Sequence, residues 1–93
     1  MNKKQRKIYD AIFATPIRRN IIWNDVVSLV EALGGTVIQG DGSRVRFSLN
    51  DISLNIHSPH PQKELKRYQV KAVRAFLIEA KVERWNIKDT KQQ

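Results

Sequence analysis

The chain has 93 residues, no cysteine, and 17 Lys and Arg against nine Asp and Glu, a formal charge of +8. That length suits a single domain with a packed core, and the lack of thiols excludes disulfide staples, thiolate catalysis and sulfur-ligated metal. No apolar run approaches the roughly 18 residues that span a membrane. A soluble, cytoplasmic protein is expected, and the excess positive charge points to a polyanion or an acidic protein as its partner.

No internal repeat or low-complexity segment interrupts the chain. The first element expected is a basic helix over 3–14, with Ile8, Ile12 and Phe13 at helical spacing and Lys3, Lys4, Arg6 and Lys7 outside. Thr15-Pro16 ends it, because the residue before proline avoids helical dihedrals, and PIRRNIIW becomes a connector. In the second helix Asn24 is the expected N-cap and Asp25 suits the positive end of the helix dipole. Val26, Leu29, Val30 and Leu33 form its apolar stripe, and Gly34-Gly35 stops it.

The period then changes from helical to two. Thr36 to Gln39 is a first strand, and Gly40-Asp41-Gly42 a turn. In the next strand Val45, Phe47 and Leu49 alternate with Arg44, Arg46 and Ser48. In the one after, Ile52, Leu54 and Ile56 alternate with Ser53, Asn55 and His57. Asn50-Asp51 between them fits a two-residue hairpin loop, since both residues tolerate positive φ. Pairing follows by arithmetic: Leu49 opposes Ile52, Phe47 opposes Leu54 and Val45 opposes Ile56. On the polar face Ser48 opposes Ser53, Arg46 opposes Asn55 and Arg44 opposes His57. Burial of one face enforces this register, because a one-residue slip would set polar side chains against apolar ones.

Pro59 and Pro61 break the chain after the third strand. A last helix is expected from about Leu65 to Ala80, with Val70, Val73, Leu77 and Ala80 inward and Lys66, Arg67, Lys71 and Arg74 outward. Trp23 and Phe76 are assigned to the core. The tail from about Glu83 is polar apart from Trp85 and Ile87, and Trp85 is a candidate anchor for a partner. Helix, helix, three-stranded meander, helix makes an α+β two-layer sandwich, with two amphipathic helices on the apolar face of the sheet and its polar face open.

Directly opposed strand residues have Cβ atoms roughly 5 Å apart, so Arg44 and His57 are expected side by side on a wet, basic surface. A guanidinium holds a phosphate through two parallel hydrogen bonds, and an imidazole exchanges protons near neutral pH. Cleavage of a phosphodiester by a neighbouring ribose 2′-hydroxyl needs a base, an acid and a cation for the developing charge. His57 as base, His60 as acid and Arg44 as cation would supply them. The plainer reading is that His57 ends a strand and His60 caps a turn, and the outer residues of the last helix are its solvated face. Two histidines without clustered carboxylates make a poor metal site, and no acidic residue is placed to complete a triad through Ser43. No cofactor is implied.

IIWNDVVSLVEALGGTV, GSRVRFSL, HSPHP and VKAVRAFLIEAKV, in that order over about residues 20 to 82, resemble the HicA toxins of bacterial HicA–HicB toxin–antitoxin pairs. The resemblance implies a double-stranded-RNA-binding-like fold, α-β-β-β-α, here with an extra N-terminal helix. It divides the chain into a basic helix and connector (1–19), a HicA-like domain (20–83) and a tail (84–93). It also implies a metal-independent mRNA endonuclease that arrests translation and is neutralised by a HicB-type antitoxin. Most members of that family carry Gly-Ser-His at the start of the second strand. This chain has Gly42-Ser43-Arg44, the form of a branch that also carries His-x-Pro-His, and here proton transfer is assigned to His57 and His60. The expected RNA-binding set is Arg44, Arg46, Lys66, Arg67, Lys71 and Arg74. The rival reading is a non-catalytic RNA-binding module on the same fold. A DNA-binding role lacks a helix-turn-helix pair.

Overall fold

A computed structural model describes residues 3–59 and 63–83. Its elements run α1 (Lys3–Ile12), α2 (Trp23–Ala32), β1 (Thr36–Gln39), β2 (Arg44–Leu49), β3 (Ile52–His57) and α3 (Arg67–Glu79). The three strands form one antiparallel sheet in the order β1-β2-β3. α2 packs across β1 and α3 across β3, while α1 lies against both of those helices. This is the α+β two-layer arrangement that the alternation of periods predicts, with α1 added behind the helical layer.

Val45, Phe47 and Leu49 of β2 and Ile56 of β3 turn into the core, where they meet Val26, Leu29 and Val30 of α2 and Val70, Val73 and Leu77 of α3. Trp23, Phe47 and Phe76 are linked ring to ring through it, with centroids 5.5 Å and 6.1 Å apart. One aromatic from each of α2, β2 and α3 therefore ties the two layers together. Such ring pairs contribute about 0.5–1.5 kcal/mol beyond the area they bury. Ile8 and Ile12 of α1 belong to the same core.

α2 begins two residues earlier than its sequence suggests, and Asn24 is not its cap. Ile22 holds the N-cap position with extended dihedrals and no side-chain bond. The cause is a short antiparallel bridge between Ile22 and Glu64. The Trp23 N–H donates to the Lys63 carbonyl at 2.8 Å, and the Leu65 N–H donates to the Ile21 carbonyl at 2.9 Å. Backbone pairing thus satisfies one of the amides at the helix start that have no intrahelical acceptor. The same bridge draws Leu65 into the core as extended chain, so α3 starts at Arg67 rather than at Leu65.

α2 ends in a Schellman motif. Gly34 takes φ +93°, its N–H reaches the Glu31 carbonyl at 3.0 Å, and the Gly35 N–H reaches that of Val30 at 2.9 Å. Gly35 lies so close to β2 that a Cβ there would sit 2.7 Å from the Ser48 carbonyl oxygen and 2.9 Å from a Val30 methyl. Gly34 makes the turn and Gly35 permits the contact of helix with sheet. At the far end of α3, Lys81 adopts φ +61° in the equivalent position, with its N–H on Ile78 and that of Val82 on Leu77.

Gly35→Ala is expected to destabilise the fold by about 1–3 kcal/mol, the range for forcing atoms into a packed site, as a lower urea midpoint at unchanged slope. Lys81→Gly relieves a left-handed non-glycine residue and is expected to raise the thermal midpoint, by a stability gain of up to about 1 kcal/mol.

Candidate active site

The hairpin that carries the site reverses at Asn50 and Asp51, with φ of +51° and +67°, the two successive left-handed residues of a type I′ loop. The register is Leu49 with Ile52, Phe47 with Leu54, Val45 with Ile56, Ser48 with Ser53, Arg46 with Asn55 and Arg44 with His57. The Asn50 side chain adds an anchor, since its Nδ2 donates to the Ala80 carbonyl at 2.9 Å. The hairpin tip is thereby fixed to the end of α3.

Arg44 and His57 are thus cross-strand partners, both exposed, on the face of the sheet away from the helices. Arg46 and Asn55 lie next along the same face. Arg46 Nη2 approaches Ser53 Oγ at 3.4 Å, and Ser48 and Ser53 hydroxyls are 3.4 Å apart. Ile38, exposed in β1, flanks Arg46. An open concavity of about 570 Å³ lies here, lined by Ile38, Asp41, Arg44, Arg46, Asn55 and His57 among others. Two guanidiniums, an amide and an imidazole facing one cleft suit a phosphate with its attached sugar and base.

His57 is held from two directions. Its carbonyl accepts a 2.6 Å hydrogen bond from Nε2 of Gln69, whose Oε1 in turn accepts the Lys66 N–H at 2.9 Å. Gln69 is buried among the apolar residues of α3, so its amide caps the helix and fixes the end of β3 in one step. Its signal in the sequence is its place on the apolar stripe, four residues before Val73 and eight before Leu77. On the ring side, Ser43 Oγ lies 3.1 Å from Nδ1 of His57. Ser43 lacks the acidic third member of a triad, but it does reach the histidine.

The outer residues of α3 divide. Arg67 and Lys71 are exposed, as is Lys66 just before the helix. Arg74 does not stand free in solvent as its helical position suggests. Its Nε donates to the Ile12 carbonyl and its Nη2 to that of Ala14, each at 3.0 Å, and its guanidinium lies 5.8 Å from the Phe13 ring centre. It closes the C-terminal end of α1, where carbonyls lack helical partners. His60 and Trp85 lie outside the described residues. Among the described residues no group of three or more His, Asp or Glu could hold a metal ion, and no helix is long and apolar enough to cross a membrane.

The family model for the HicA toxin of bacterial toxin–antitoxin systems matches residues 23–82. The chain belongs to the HicA toxin family. No match came from the curated proteins or from the solved structures. The matched segment takes in the sheet, α2, α3 and the Arg44–His57 face, and leaves α1 of this HicA protein outside it.

Gln69→Leu keeps the volume but strands the His57 carbonyl and the Lys66 N–H. A loss of about 1–3 kcal/mol is expected, read by urea unfolding, together with faster hydrogen exchange at the amides near the end of β3.

Proposed function

We propose that this HicA family member is a metal-independent endoribonuclease toxin that cuts mRNA in the cytoplasm, arrests translation and is neutralised by a HicB-type antitoxin. The observation that carries this reading is the direct cross-strand pairing of an exposed guanidinium and an exposed imidazole, Arg44 and His57.

In the proposed reaction His57 takes the proton of a ribose 2′-hydroxyl as its oxygen attacks the adjacent phosphorus. The P–O5′ bond breaks, and the leaving 5′-oxygen receives a proton from a general acid. Arg44 neutralises the charge that builds on the phosphoryl oxygens. His60, three residues beyond His57 in the chain, is the candidate acid. The products are a 2′,3′-cyclic phosphate and a free 5′-hydroxyl. Arg46 beside Arg44, and exposed Lys66, Arg67 and Lys71, are assigned to the RNA backbone. The antitoxin masks the Arg44–His57 face with an acidic surface, using the same charge complementarity that draws RNA.

The wild-type protein is expected to cleave RNA in EDTA. His57→Ala should lower the rate by about 100-fold or more, the contribution of a positioned base, while still binding RNA. Salt-sensitive binding by the wild type without cleavage would instead identify a non-catalytic RNA-binding module. Arg44→Glu is expected to weaken both RNA binding and antitoxin binding in parallel titrations. Loss of neither would sink the shared surface.

A further inference from the structure

The contact between Ser43 and His57 has no place in the proton transfers just described, yet both of its members are held. The Ser43 carbonyl accepts the Ser58 N–H at 2.8 Å and the Ser58 hydroxyl at 3.4 Å, which carries the β2–β3 pairing one residue past the named strands. The His57 main chain is fixed by Gln69 through the 2.6 Å bond to its carbonyl. Between these two anchored stretches, Ser43 Oγ stands 3.1 Å from Nδ1 of His57.

An imidazole in its neutral form carries a proton on one nitrogen and a lone pair on the other. The partner of the engaged nitrogen decides which is which. With Nδ1 occupied by Ser43, Nε2 is the nitrogen left for a ligand in the concavity that His57, Arg44 and Asn55 line. A base must present a lone pair there, so the proton must reside on Nδ1.

We propose that Ser43 is a positioning residue whose Oγ accepts a hydrogen bond from Nδ1–H of His57, fixing both the ring orientation and the tautomer that presents the Nε2 lone pair to a ribose 2′-hydroxyl. The direction of this bond and its effect on cleavage rest on the ribonuclease reading above; the contact between Ser43 and the His57 ring does not. Ser43 touches no reacting atom and acts through the imidazole. It adjoins Arg44 in the chain, so one dipeptide at the start of β2 supplies both the oxygen that orients the base and the cation that faces the phosphate.

The chain has two histidines, so a His60→Gln background leaves His57 as the sole source of ring nitrogen signals. In the 15N-labelled full chain at alkaline pH, the parent is expected to show the Nδ1–H tautomer in excess. Ser43→Thr, which retains the hydroxyl, should keep that excess, and Ser43→Ala should shift it toward Nε2–H with amide dispersion unchanged. An Nε2–H excess in the parent, or a tautomer ratio indifferent to Ser43→Ala, overturns the proposal whether or not the protein cuts RNA.

In the chain with His60 intact, Ser43→Ala is expected to lower kcat roughly tenfold or more, the effect of losing a group that orients a working imidazole. KM should stay within about twofold, since the phosphate contacts are untouched, and Ser43→Thr should restore kcat. A covalent RNA adduct trapped on Ser43 overturns the positioning role in favour of a nucleophile. The expected tautomer shift in a protein that fails to cleave RNA upholds Ser43 as the residue that sets the ring and removes the ribonuclease reading alone.

Discussion

The polar face of the sheet is ordered by the apolar one. Val45, Phe47 and Leu49 are buried against α2 and α3, and full burial of a large apolar side chain stabilises a fold by roughly 1.5–3 kcal/mol. A shift of β2 by one residue would send all three to water and bring Arg44 and Arg46 into the core. No contact between Arg44 and His57 themselves approaches that magnitude. Their opposition is a consequence of core packing, fixed by the two-residue reversal at Asn50 and Asp51. The site therefore needs little stabilisation of its own, and Arg44 and His57 stay exposed.

α3 acts as the common fixing point. Through Gln69 it holds the carbonyl that ends β3, through its last turn it receives the Asn50 amide at the hairpin tip, and through Arg74 it closes α1. Both ends of β3 are thereby referred to one rigid helix. The twist and slide that a three-stranded sheet otherwise permits are restrained at the two positions that set how Arg44 and His57 face each other. Each of these bonds involves a main-chain carbonyl, and an unpaired partly buried carbonyl is costly.

Much of this was legible in the residues. The change of period at Gly34-Gly35, the alternation over 44–49 and 52–57, and the turn chemistry of Asn50-Asp51 were enough to give strand bounds and register, because each is a local rule that the core reinforces. What escaped was non-local. The Ile22–Glu64 bridge joins segments some forty residues apart and leaves no periodic trace, so it displaced the start of both α2 and α3. Arg74 read as solvated because a helical stripe tells which way a side chain leaves the helix, and not that its long stem folds back over α1. The sequence offers no acidic partner for Ser43, a test suited to a nucleophile and blind to a hydroxyl that meets the histidine across the strand pair.

The boundary of α1 carries a consequence for how the chain is divided. The segment that declares kinship begins at Trp23, whereas Ile8 and Ile12 lie in the same apolar cluster as Leu29 and Val73, and the Arg74 guanidinium spends its donors on carbonyls of residues 12 and 14. Trimming the protein to its recognisable portion would open a greasy furrow between α2 and α3 and leave a half-sunken cation without acceptors. Ancestry and mechanical self-sufficiency are thus inscribed over different lengths of this polypeptide.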